Sequence, residues 1–147
     1  MKAVIQVVNN ATLKVENKLI SKIGQGLVVY FCVEQDDNEN LLDYCAKKIA
    51  NMRLFVDENG KMNKSVIDVG GEILLVSQFT LAGDTEKGNR PSFVLAEKPE
   101  RANALYLKLG KLIKDLYAVP VSFGIFGADM KITQENNGPV TIIMEKK

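Results

Sequence analysis

The chain has 147 residues, 46% of them apolar and 25% charged, with a formal net charge of +1. That length is enough for one domain with a real core, spanning 1–147, and the near-neutral charge excludes recruitment of nucleic acid by the whole-molecule field. There is no histidine and there are two separated cysteines, which excludes Ser-His and Cys-His catalysis and the usual zinc ligand sets.

No metal or cofactor is therefore expected, and no glycine-rich loop offers a cradle for nucleotide phosphates. Any chemistry must come from backbone amides, hydroxyls, a lysine, a carboxylate or the substrate's own groups. The N-terminus lacks an apolar signal region and no run approaches membrane-spanning length, so a soluble, cytoplasmic protein without membrane contact is expected. Cys32 and Cys45 lie in apolar patterns and read as reduced core residues.

In chain order, residues 2–8 predict a first, central strand. Asn9-Asn10 is a turn signal before a short strand over 12–16, and Asn17-Lys18 turns into a strand over 19–23. Gly24-Gln25-Gly26 breaks the chain ahead of the unbroken apolar run 27–33, a buried strand. These segments predict an antiparallel meander. Asp36 and Glu39 have the spacing of a capping box opening a helix. Leu41/Leu42, Cys45, Ile49 and Met52 mark its core face, leaving Lys47 and Lys48 outward with no functional role. Leu54 to Val56 reads as a short strand, and Asp57 to Lys61 as a plain turn rather than a calcium loop.

Gly70-Gly71 then leads into Ile73 to Val76, a strand buried on both faces. It delivers Ser77-Gln78-Phe79-Thr80 before Leu81 returns to apolar. A polar cluster at the end of a buried strand needs partners for each hydroxyl and amide. A strand simply leaving the core would explain it, but the flanking apolar residues favour a site. A charged loop follows and closes with Arg90-Pro91-Ser92-Phe93. Lys87/Arg90 and Lys98/Arg101 are the local basic clusters that could touch RNA.

Pro99 opens a second helix, with Ala102, Leu105, Tyr106, Leu109, Leu112, Ile113 and Leu116 on one face. Gly110 lies inside it at a cost of about 1 kcal/mol. After Pro120 comes a sheet segment over 121–126, and Gly124 and Gly127 point to close backbone approach or a bulge. Asn136-Asn137-Gly138-Pro139 reads as a turn into a last strand over 140–144. Gly-Pro is usually only a turn, yet X-Pro is the bond that readily takes the cis form, and glycine can approach a ligand without a clash. Both readings stand at that point. The elements add up to an α+β domain with two main helices.

Five ordered blocks carry a resemblance over essentially the whole chain: Gly60 to Asn63, Ser77 to Leu81, Gly88 to Phe93, Phe126 to Met130, and Asn136 to Thr141. The sequence resembles the D-aminoacyl-tRNA deacylases, also called D-tyrosyl-tRNA deacylases. The resemblance implies a compact antiparallel β-barrel-like domain assembled as a two-fold homodimer. It implies hydrolysis of the ester joining a D-amino acid to the tRNA 3′ end, and of glycine mischarged on tRNA-Ala. Ser77, Gln78, Phe79 and Thr80 would form the catalytic floor. Gly138 and Pro139, a cis pair in relatives, would cross the dimer interface as the chirality filter, with Met130 beside the substrate. Lys87 and Arg90 would contact tRNA; no DNA or membrane partner is implied.

Such chemistry has no need of histidine. An aminoacyl ester is already activated, so backbone N–H groups of Gln78 to Thr80 could stabilise the oxyanion, and the adenosine 2′-hydroxyl could position the attacking water. Thr80 is the one candidate nucleophile, but no evident base activates it. One departure stands out: relatives commonly carry arginine after the first-strand glutamine, anchoring the Gly-Pro segment, and here the residue is Val7. Either another group holds that segment, or selectivity is relaxed toward glycine and L-alanine. The rival readings are thus a deacylase with relaxed chirality and a non-catalytic module that binds tRNA 3′ ends.

Overall fold

The computed structural model describes residues 1–147. The strands are β1 (Lys2–Val15), β2 (Lys18–Ile23), β3 (Gly26–Cys32), β4 (Phe55–Val56), β5 (Met62–Lys64), β6 (Glu72–Ser77), β7 (Val121–Phe123) and β8 (Met130–Glu145). Two helices, α1 (Leu41–Asn51) and α2 (Pro99–Tyr117), and a 3-10 turn at Phe79–Ala82 complete the chain. The fold is α+β, as expected. No helix is long and apolar enough to cross a membrane.

β1 is the spine. It pairs with β2 and β3 in one nearly continuous antiparallel register, from Val15 opposite Lys18 to Lys2 opposite Cys32. β2 and β3 therefore follow one another along a single edge of β1, and β8 takes the other edge. This is one long hairpin rather than the predicted meander. Asn9-Asn10 does not turn: those residues stay within β1, where the register against β8 shifts. The same asparagine chemistry that favours turns also suits an irregular strand position, and here pairing on both sides of the break carries the chain straight on.

The sheet is mixed, which corrects the expected antiparallel barrel. β3 pairs with β6, and β6 with β7, in parallel. The connections explain it, because each crossover carries a helix, α1 before β6 and α2 before β7, and returns the chain to the same end. Ser21 Oγ donates to the Phe123 carbonyl at 2.5 Å, bringing β2 against β7 and nearly closing the barrel.

Alternation along β3 and β6 divides the core. Leu27, Val29, Phe31, Ile73 and Leu75 face the helices, while Val28, Leu74 and Val76 pack with Leu13 and Ile23 inside the barrel. Burial on both faces is why these strands read as unbroken apolar runs. In α2 the glycine at 110 is required rather than tolerated: a Cβ there would lie 2.2 Å from the Phe123 ring, so its absence lets the helix settle onto β7.

The predicted capping box does not form. α1 starts at Leu41, after Asn40, with no side-chain cap. Asp37 is drawn inward instead, accepting from the Glu34 N–H at 2.7 Å and pairing with the Met1 ammonium at 2.5 Å. Glu39 reaches across to Lys108 of α2.

Candidate active site

Strand β6 ends where the polar cluster begins. Ser77 is its last residue, and the Gln78 N–H donates to the Phe31 carbonyl at 2.8 Å, fastening the segment to β3. The chain then winds into the 3-10 turn, whose first N–H groups, on Phe79 and Thr80, have no partner within the turn itself. The Gln78 amide is thereby removed from the predicted set of oxyanion donors, leaving Phe79 and Thr80. The Gln78 side chain donates from Nε2 to Thr80 Oγ1. The Thr80 hydroxyl thus accepts from an amide, and no base contacts it.

Cavities lie on both sides of this floor. The larger, about 540 Å³, is walled by Phe31, Phe79, Phe93, Tyr106 and Phe126, with Glu97 and Lys98 among its polar lining. The smaller, about 280 Å³, is bounded by Ser77 to Phe79, Phe126 to Ala128, Met130 and Ile132. Met130 therefore lines the same cavity as Ser77 to Phe79. Phe79 is 56% exposed and packs edge-to-face on Phe93, with ring centres 5.3 Å apart. An exposed aromatic pair over a cavity presents a stacking surface.

The charged loop supplies that second ring. Asp84 and Ser92 exchange backbone hydrogen bonds of 2.8 and 2.9 Å, pinching the loop shut and returning Phe93 to the floor. Lys87 and Arg90 ride on its exposed tip and line neither cavity. Arg101 is also engaged, pairing with Glu97 and donating to the Asp37 carbonyl at 2.6 Å. In the sequence, Phe31, Tyr106 and Phe126 carry only the signals of core or block residues. Aromatic residues in buried runs look the same whether they fill a core or wall a cavity.

Cys32 and Tyr106, which line the large cavity, are poorly suited to nucleophilic catalysis. Burial pushes the Cys32 thiol up to about 11, so it stays protonated near neutrality. Burial also raises the Tyr106 phenol, whose hydroxyl donates to the Leu75 carbonyl at 2.8 Å. No three His, Cys, Asp or Glu side chains gather in position to hold a metal.

Gly138 and Pro139 stand elsewhere. Between Val8 opposite Asn136 and Gln6 opposite Thr141, β8 carries several extra residues, so the Gly-Pro pair bulges from a continuous strand rather than turning between two. The peptide is cis. Gly138 has φ +126°, and a Cβ would lie 2.9 Å from the Val140 nitrogen. It borders a depression of about 130 Å³ with Val7, Gln25, Leu54 to Val56, Val69 and Val140, away from Ser77 to Phe79. Within one chain the floor and the Gly-Pro bulge do not meet in a shared cavity.

A family model described as D-Tyr-tRNA(Tyr) deacylase matches residues 4–145. The chain belongs to this family. D-aminoacyl-tRNA deacylases, enzymes that hydrolyse an ester, are among its relatives. One from Paracoccus denitrificans is 50% identical over 145 residues, covering 99% of this chain and 97% of the relative. Another, from Thermoanaerobacter pseudethanolicus, is 50% identical over 147 residues, covering 100% and 98%. Among solved structures, one described as c-Myc DNA Unwinding Element Binding Protein superposes with TM-score 0.94 at 41% identity, covering 100% of this chain and 99% of the other. A probable eukaryotic D-amino acid tRNA deacylase superposes with TM-score 0.84 at 20% identity over 97% of each chain, a likeness of fold.

For a chain of this family, Val7 raises the question of what holds the bulge. Val7 is buried and packs in the core. The bulge is flanked instead by side-chain amides. Gln134 Nε2 donates to Gln6 Oε1 at 2.9 Å and to Asn136 Oδ1 at 2.5 Å, while Tyr30 donates to Gln134 Oε1 at 2.9 Å. Gln6 Nε2 in turn donates to Thr141 Oγ1 at 3.2 Å. Both feet of the bulge are thus tied to β1 and β3 without an arginine.

Proposed function

We propose that the chain hydrolyses the ester between a D-amino acid and the terminal adenosine of tRNA, and also removes glycine mischarged on tRNA-Ala. The observation that carries this reading is the floor itself, in a chain that matches the family over residues 4–145. A short turn whose first N–H groups have no partner within it stands between an aromatic cavity large enough for a nucleobase and a smaller one beside Met130.

The adenine would stack against Phe79 and Phe93, since aromatic faces accept any base. The Phe79 and Thr80 N–H groups would then face the ester oxygen and stabilise the negative charge that develops as water attacks. The adenosine 2′-hydroxyl positions that water, the C–O bond to the 3′ oxygen breaks, and the departing oxygen takes up a proton. Thr80 acts as a positioning group. Its hydroxyl accepts from the Gln78 amide and has no base, which argues against a nucleophile.

The active unit in this reading is an isologous homodimer. Gly138 and Pro139 of one copy reach the Ser77 to Thr80 floor of the other and hold the α-amino group, so an L side chain is driven into the backbone while a D side chain points outward. Such a site is blind to side-chain identity, which is why glycine also enters. The separation of bulge and floor within one chain supports a second copy, because neither could complete the other alone.

The deciding experiment compares D-aminoacyl-, glycyl- and L-aminoacyl-tRNA as substrates, alongside sedimentation at micromolar concentration. Hydrolysis of the first two, sparing of the third and a dimer are the expected results. Equal hydrolysis of L-alanyl-tRNA would mean a deacylase with relaxed chirality. Binding without turnover would leave only a 3′-end-binding module, and a monomer retaining full selectivity would remove the cross-subunit filter.

A further inference from the structure

A second basic cluster lies outside the site. On the outer side of α1, Lys48 Nζ is 5.8 Å from the centre of the Tyr44 ring, and Lys146, just beyond β8, approaches the same ring to 4.9 Å. Tyr44, Lys47 and Lys48 also border a depression of about 350 Å³ with Asn51 and Met52. None of the chain's nine ion pairs involves Lys47, Lys48 or Lys146. An aromatic face attracts ammonium groups without neutralising them, so two positive charges meet over a half-exposed ring, with Lys47 bordering the adjoining depression and none of the three held in an ion pair.

The position of the cluster relative to the floor follows from the bonds between them. The Lys146 N–H donates to the Met1 carbonyl at 3.0 Å, and the Met1 ammonium pairs with Asp37 at 2.5 Å. The Asp37 carbonyl accepts from Arg101, which pairs with Glu97 in the lining of the large cavity. Lys98, next to Glu97 in that lining, forms no ion pair either. Unpaired positive charge thus stands at both ends of this chain of compensated contacts, at Lys98 beside the cavity and at the lysines near Tyr44, two anchor points suited to a chain of phosphates with an occasional exposed base to stack.

We propose that Lys47, Lys48 and Lys146, gathered around Tyr44, hold the phosphodiester backbone of the tRNA substrate upstream of its terminal adenosine. This rests on reading the large cavity as the seat of that adenosine. Charge neutralisation by lysine releases condensed counterions, so each phosphate contact contributes to the salt dependence of binding.

The test compares the parent protein with the triple variant Lys47→Gln/Lys48→Gln/Lys146→Gln. Uncharged tRNA is titrated by fluorescence anisotropy across a salt series. The variant should bind roughly tenfold more weakly near 0.1 M salt, with the slope of log K against log salt reduced by about 2, as three lost single-strand contacts require. Replacement by arginine at all three positions should restore affinity. D-aminoacyl-tRNA hydrolysis should weaken through KM, whereas a D-aminoacyl ester of adenosine, lacking phosphodiesters, should react at the parent rate. Unchanged affinity and slope would overturn the proposal, as would equal losses on both esters. If the parent hydrolyses neither ester, the functional reading falls, and the tRNA titration still decides this surface.

Discussion

Ser77 to Phe79 leave a strand buried on both faces, and the Gln78 amide is fastened to the Phe31 carbonyl. Asn136 to Val140 instead leave a strand with an open outer side, where Ile143 is 74% exposed, and the bulge is tied down by side-chain amides. One region takes its geometry from the core, and the other from a small polar network. The difference teaches where substitutions should tell. A change at the floor should disturb stability along with activity, whereas a change at the bulge should alter activity and selectivity in a protein that still folds.

Gly138→Ala is the largest expected effect. A Cβ would meet Val140 at a φ that L residues rarely adopt, displacing the bulge. A misplacement on the ångström scale should lower kcat/KM for D-aminoacyl-tRNA on the order of 100-fold. Thermal unfolding should stay close to the parent's, and a large drop in Tm would break the comparison.

Tyr106→Phe tests the opposite region. It removes one of two donors to the buried Leu75 carbonyl, two residues before Ser77, which also accepts from the Gly124 N–H at 3.2 Å. The cost should be about 1–1.5 kcal/mol of stability, read from the denaturation midpoint. Stability equal to the parent's would show that the floor does not depend on this bond.

Gln134→Ala removes the amide shared by Gln6, Asn136 and Tyr30. Stability should fall by only about 1 kcal/mol, as for a partly exposed hydrogen bond, while discrimination between D- and L-alanyl-tRNA weakens. The ratio of the two kcat/KM values is the measurement. An unchanged ratio would mean the network does not position the filter in place of an arginine.

Thr80→Ala is the smallest. Losing one positioning hydrogen bond is worth about 1 kcal/mol, or less than roughly tenfold in rate. Loss of all hydrolysis, or capture of an acyl-Thr80 intermediate, would make Thr80 the nucleophile.

The buried runs at Leu27 to Cys32 and Ile73 to Val76, the proline-started second helix and the polar cluster at Ser77 were legible in the sequence. Each is a local pattern imposed by burial or by backbone chemistry within a few residues. Even so, the Gln78 amide looked available, because nothing local reveals that the Phe31 carbonyl takes it. Asn9-Asn10 and Asn136 to Pro139 read as turns because bulges and turns favour the same residues. Only pairing along the whole of β1 distinguishes them.

The sequence by itself determined an α+β domain, its two helices, its family and the segments proposed to carry the site. Periodicity, turn chemistry and ordered blocks are all written along the chain. The tertiary structure alone decided the parallel pairing of β3, β6 and β7, the aromatic walls around the floor, the amide network beneath the bulge, and the meeting of Lys146 with Tyr44 and Lys48. These depend on residues that lie from tens of positions to well over a hundred apart, brought together when the long hairpin and its crossovers bury their apolar faces, and no local preference encodes such a meeting.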